Sequence, residues 1–132
     1  MATILLIDDE VLVRQTLGHT LTDSGHTVVY AGDGVEGLQQ MRAVNPDLVI
    51  TDIVMPNQEG IETILALREI SAALPIIAIS GGGRAGSPNF LDAAAALGAT
   101  RVLRKPFGTA TLLEAVNACL NAGPSDRAHE PL

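Results

Sequence analysis

The chain has a single cysteine, Cys119, and no tryptophan. One thiol excludes an internal disulfide and any multi-thiolate metal site, and within an apolar segment near the end of the chain it reads as a buried, inert side chain. Aromatic residues make up only 2% of the sequence, too few to build a stacking surface for single-stranded bases. Lysine and arginine number 8 against 15 aspartates and glutamates, a net charge of −7, so neither a nucleic acid nor an anionic membrane is an expected partner. No apolar run reaches the length of a membrane span. The opening MATILLIDDE has no basic flank and carries acids where a signal peptide would be cleaved, so a cytoplasmic location is expected. His19, His26 and His129 are too scattered for metal-ligand spacing and read as surface or capping residues.

What remains is an apolar sequence of 132 residues with 47% hydrophobic residues, enough to bury one core without covalent staples. Five short runs recur: ATILLI, HTVVYA, DLVIT, PIIAIS and TRVLR. Their continuous β-branched and leucine content suits strands covered on both faces of a parallel sheet. Segments with helical spacing lie between them: Val13, Leu17 and Leu21; Val35 and Leu38; Ile61, Ile64 and Leu65; Leu113, Val116 and Leu120. Ser87 as N-cap, Pro88 at the first helical position and Gly98 as terminator bracket a further helix at about 88–97. Five strands alternating with five helices predict right-handed crossovers and an α/β, doubly wound, five-stranded parallel sheet. The domain is expected to span 1–122, with 123–132 (GPSDRAHEPL, without apolar periodicity) a disordered tail. No output module for DNA binding or catalysis is expected in this chain.

In open α/β sheets ligands bind at the carboxyl ends of the strands. Those ends supply Asp8 and Asp9 from the first strand, Asp52 from the third, Ser80 from the fourth and Lys105, followed by Pro106, from the fifth. Three carboxylates and one ammonium sum to −2, and each carboxylate pair about 5 Å apart repels by roughly 3 kcal/mol at an effective dielectric near 20. A divalent cation would cancel this. All-oxygen donors with room for water favour Mg²⁺, with Mn²⁺ possible, over zinc.

These residues fall in ILLIDDE (4–10), LVITDIVMP (48–56), IAIS (77–80), LGAT (97–100) and LRKPF (103–107). In that order and spacing they resemble the receiver domain of two-component response regulators, from about residue 3 to 121. The resemblance implies a (βα)5 flavodoxin-like fold with strand order 2-1-3-4-5; that order belongs to the family, chemotaxis receivers included, and the residue pattern alone leaves it open. It also implies that Asp52 is the phosphoacceptor, taking a phosphoryl group from a histidine kinase or phosphotransfer protein. Asp9, Asp52 and the backbone carbonyl of Val54 would ligate Mg²⁺, with Asp8 acting largely through water. Lys105 would pair with the phosphoryl oxygens, and the Ser80 hydroxyl would hydrogen-bond to one of them. Met55-Pro56 would turn the chain so that the Val54 carbonyl faces the ion. The protein would be a stand-alone phosphoprotein of a phosphorelay, signalling by binding a downstream protein. It would not be an enzyme beyond self-phosphorylation and autodephosphorylation.

Simpler readings attach to each residue: Asp9 as a helix cap, Asp52 as a loop acid, Ser80 as a turn residue, Lys105 as a surface cation. The glycine run SGGGRAGSP is not a Walker loop, since neither Lys-Ser nor Lys-Thr follows it. Two features depart from the family pattern. Val102 stands three residues before Lys105, where many receivers have an aromatic ring that turns inward on activation. The stretch from Ser80 to Lys105 is a few residues longer than usual, around Gly81, Gly82, Gly83 and Gly86. The expectation is that Ser80, drawn toward the phosphoryl group, orders the loop at 81–87 and shifts the helix at Ala93–Ala96, with Arg84 read as a solvated side chain in preference to a phosphoryl contact. Two other functions remain open. Val102 allows a phosphorylation-independent interaction domain, and a Mg²⁺-dependent phosphohydrolase is disfavoured because Val54 stands where its general acid would be.

Overall fold

Alternate residues of Ile4-Leu5-Leu6-Ile7 enter opposite layers, and all four are at most 1% exposed. Leu5 and Ile7 pack with Met41, Ile64 and Leu67, whereas Ile4 and Leu6 pack with Leu21, Leu112 and Val116. A strand buried this way needs helices on both faces, and the computed structural model shows them. It describes residues 2–53, 59–80, 98–105 and 107–129, with the backbone alone for 59–60 and 122–129.

The strands are β1 (Thr3–Ile7), β2 (Thr27–Ala31), β3 (Leu48–Asp52), β4 (Ile76–Ser80) and β5 (Arg101–Arg104). All pair in parallel, in the order β2-β1-β3-β4-β5. The fold class and strand order are as expected. The helices among the described residues are α1 (Val11–Asp23), α2 (Gly34–Val44), α3 (Glu59–Ile70) and α4 (Thr109–His129). The α1 and α4 side chains share one core layer with one face of the sheet, and those of α2 and α3 share the other. The expected helix at 88–97 and the glycine run at 81–87 lie outside the described residues.

Several details differ from the sequence reading. Only β1, β3 and β4 are covered nearly throughout; β2 and β5 are the sheet edges and carry exposed positions. Val35 is 66% exposed and Leu65 44%. Their helices bury Met41 and Leu67 instead, because the inward stripe is set by how each helix lies on the sheet and not by every apolar residue near it. The last helix runs to His129.

Two local devices set the loops near the carboxyl edge. Asp33 caps α2 by accepting from the Glu36 N–H at 2.8 Å, and Glu36 Oε1 accepts from the Gly32 N–H at 2.6 Å. Gly37 brings α2 against β1, since a Cβ there would lie 2.5 Å from Ile7 Cδ1. Cys119 is buried on the inner face of α4 and is not disulfide-bonded.

Candidate functional site: an acidic cluster with one inward lysine

Parallel pairing decides where the acids go. Ile7 is in register with Thr51, so the next residues on β1 and β3, Asp8 and Asp52, emerge side by side from strands about 4.8 Å apart. Both are buried, at 1% and 4% exposure. Asp9 and Glu10 follow in the exposed turn into α1. Asp8, Asp9, Glu10 and Asp52 each offer a carboxylate oxygen within 4.8 Å of the others.

Lys105 comes in from the end of β5. Its N–H donates to the Ser80 carbonyl at 2.8 Å, fixing its backbone beside β4. Its ammonium lies 3.7 Å from Asp52 Oδ2 and 3.9 Å from Asp8 Oδ2. Ser80 is fully buried and follows Ile79, the residue paired with Asp52. Asp8, Asp9, Asp52, Ser80 and Lys105 thus gather on one edge of the sheet. Val54, Met55 and Pro56 lie outside the described residues, as does Pro106.

The electrostatics are strained toward neutralisation. Burial raises the Asp8 carboxyl from 3.8 to about 6; the Glu10 N–H, donating at 2.9 Å, opposes the rise, Asp52 adds to it, Lys105 opposes it, and Asp9 adds a little more. Four carboxylates of this kind, with hard oxygen donors, two buried members and one ammonium beside them, fit a divalent cation such as Mg²⁺ or Mn²⁺. The simpler reading of Asp9 as a helix cap finds no support: Glu10 is the N-cap residue of α1, and no side chain caps it.

Two residues of the site escape the sequence reading. Glu10 joins the cluster, although the sequence marks it only as the last letter of a motif. Arg14 donates from Nη1 to the Asp8 carbonyl at 2.6 Å. A cation in the first turns of a helix opposes the helix dipole, but the sequence does not show which group it meets.

Beside Lys105 an apolar groove of about 350 Å³ runs between α1 and the start of the β5–α4 connection, lined by Leu12, Val13, Thr16, Leu17, Lys105 and Phe107. Leu12 is 75% exposed at its rim. No helix among the described residues is long and apolar enough to cross a membrane.

A family model described as response regulator receiver domain matches residues 4–117. Response regulator MprA of Mycobacterium leprae is 34% identical over 127 residues, covering 96% of this chain and 54% of that protein. The homologue of the same name from Mycobacterium ulcerans is 35% identical, covering 89% of this chain and 49% of that protein. The chain therefore spans about half the length of these relatives. Among solved structures, a receiver domain protein from Clostridium thermocellum superposes with a TM-score of 0.84 at 31% identity, covering 92% of this chain and 95% of the other. The chemotaxis response regulator CheY4 of Vibrio cholerae gives 0.80 at 35% identity, covering 91% and 99%. A match of that extent, on a sheet of this order, makes the chain a member of the response regulator receiver domain family.

Proposed function

We propose that the chain is a phosphoacceptor module in which Asp52 takes a phosphoryl group from a histidine kinase or phosphotransfer protein and that the phosphorylated form signals by binding another protein. The observation that carries this reading is the Lys105 ammonium lying within 4 Å of both Asp52 and Asp8, at the edge where four acids converge. An Asp52 carboxylate oxygen forms the new P–O bond while the donor's P–N bond breaks, and the departing imidazole retains the electron pair and takes up a proton. Lys105 meets the phosphoryl oxygens with a point charge. The Ser80 hydroxyl donates to one of them after transfer.

Asp9, Asp52 and the Val54 carbonyl would hold Mg²⁺ or Mn²⁺, with Asp8 acting through water. When bound, the ion supplies neutralising charge to nucleophile and phosphoryl oxygens. Burial of Asp8 and Asp52 supports this need for a counter-charge. The groove beside Lys105 supports a protein donor, because apolar side chains seated there would lie next to the acceptor. The domain transfers the group to itself and releases it slowly, without turning over an external substrate.

The test is incubation with Mg²⁺ and a small acyl phosphate, followed by intact mass for wild type and Asp52→Asn. Gain of one phosphoryl group in the wild type alone is the expected result. Gain in neither would favour a phosphorylation-independent interaction domain, and sustained donor hydrolysis would favour a phosphohydrolase.

A further inference from the structure

We propose that Arg14 is a positioning residue that holds the Asp8–Glu10 turn in the shape in which its carboxylates converge. The proposal rests on the cation-binding reading above and assigns the residue that prepares the site for the ion.

The turn is tied at several points. The Asp8 N–H donates to the Ala31 carbonyl at 3.1 Å, fixing the turn's start to β2. The Asp8 carboxylate accepts from the Glu10 N–H at 2.9 Å. Its carbonyl accepts from Arg14 Nη1 at 2.6 Å, while the Arg14 N–H donates to the Glu10 carbonyl at 3.1 Å. The backbone bond to Glu10 belongs to the first turn of α1, so what the arginine side chain itself adds is its hold on the Asp8 carbonyl, directly before Asp9. Without these ties, mutual repulsion would drive the acids of this turn away from Asp52.

The fold leaves space for the guanidinium. A Cβ on Gly32 would stand 3.2 Å from Arg14 Nη1 and 3.5 Å from Glu36 Oε1, so the β2–α2 loop is cut back where the side chain crosses it. Glu36 itself fixes that loop through the Gly32 N–H.

Charge and position make opposite predictions. If Arg14 acted only as a nearby positive charge, it would repel a dication, and Arg14→Gln would bind the ion more tightly. If it positions the turn, the same change loosens the site and weakens binding. Outer-shell groups of this kind typically alter metal affinity by about tenfold or more.

The experiment is Mn²⁺ binding by electron paramagnetic resonance, paired with the Mg²⁺-induced rise in thermal midpoint, on the full chain. Arg14→Gln is expected to raise the Mn²⁺ dissociation constant about tenfold and to shrink the Mg²⁺-induced rise. Arg14→Lys should recover part of the affinity, since an ammonium can still donate to the Asp8 carbonyl. Gly32→Ala keeps Arg14 but crowds its Nη1, which must give by a few tenths of an ångström, and is expected to weaken binding by a smaller factor in a protein that still folds. Unchanged or tighter binding in both Arg14→Gln and Gly32→Ala would overturn the proposal alone. A wild type that binds neither cation would overturn the cation-binding reading, and the proposal with it.

Discussion

The Lys105 ammonium stands 3.7 Å from Asp52 Oδ2, on a side chain that is three-quarters buried. It is held there by backbone as well as charge, since its N–H donates to Ser80. Lys105→Met should leave that backbone bond in place and remove only the charge. The expected outcome is at least a tenfold slower phosphoryl gain from a small acyl phosphate, because a stabilising charge on the phosphoryl oxygens is typically worth a few kcal/mol. Intact mass against time at saturating Mg²⁺ measures it. An unchanged rate would remove Lys105 from the reaction.

The raised Asp8 carboxyl has a consequence for stability. Its folded value of about 6 lies above the unfolded 3.8, so the folded state binds the proton more tightly. The stabilisation is therefore full below 3.8 and is lost as pH rises through about 6. Without divalent cations, unfolding by urea should show this group costing about 2 kcal/mol between about pH 4 and pH 7, a slope that Asp8→Asn removes. If Mg²⁺ binds as proposed, the sign reverses at saturation, because the ion favours the ionised carboxylate, and its stabilising effect should grow as pH rises past about 6. Matching slopes for wild type and Asp8→Asn would show that Asp8 does not titrate in this way.

Leu12 is 75% exposed at the rim of the groove beside Lys105. If that groove receives the phosphodonor, Leu12→Asp should slow transfer from a histidine-phosphorylated protein by about tenfold, equivalent to about 1.4 kcal/mol of docking energy. Transfer from a small acyl phosphate should be unaffected, since no docking is involved. Equal slowing with both donors would place Leu12 in the chemistry or in folding and not in docking.

The legible parts of this protein are those written in local pattern. Ile4 to Ile7, Leu48 to Ile50 and Ile76 to Ile79 are continuous apolar runs because both faces of each strand are covered, and burial on both faces is what a run without alternation means. Asp8 and Asp52 are legible because each ends or follows such a run, and Lys105 because it follows the short fifth run, RVLR. The edge strands are less so: Tyr30 is 42% exposed within an apolar run, and nothing in HTVVYA marks it as lying at a sheet edge. Leu65 and Leu67 are equally apolar, and only the seating of α3 decides which turns inward. Arg14 is hidden for a different reason. Its partner is a backbone carbonyl, which every residue carries, so no side-chain pattern announces the contact.

A second arginine acts in the same way at the opposite end of the sheet. Arg68, near the end of α3, donates from Nε to the Gly98 carbonyl at 2.8 Å, from Nη1 to the carbonyls of Ser71, Ala72 and Leu74, and from Nη2 to Thr100 Oγ1 at 3.3 Å. Thr100 Oγ1 also accepts from the Ile76 N–H at 3.1 Å, so one guanidinium ties the α3–β4 turn to the entry of β5. Removing it leaves several partly buried carbonyls without this donor, and Arg68→Ala is expected to lower stability by about 2–3 kcal/mol. Arg68→Lys should recover little, because an ammonium cannot present the planar fork that reaches both segments. Since β4 and β5 carry Ser80 and Lys105 at their far ends, the affinity of the folded protein for Mg²⁺ should stay at the wild-type value in both variants. Urea unfolding and cation titration on the same samples separate the two effects. A loss of cation affinity without a loss of stability would mean that this clamp governs the site directly and not through the integrity of the sheet.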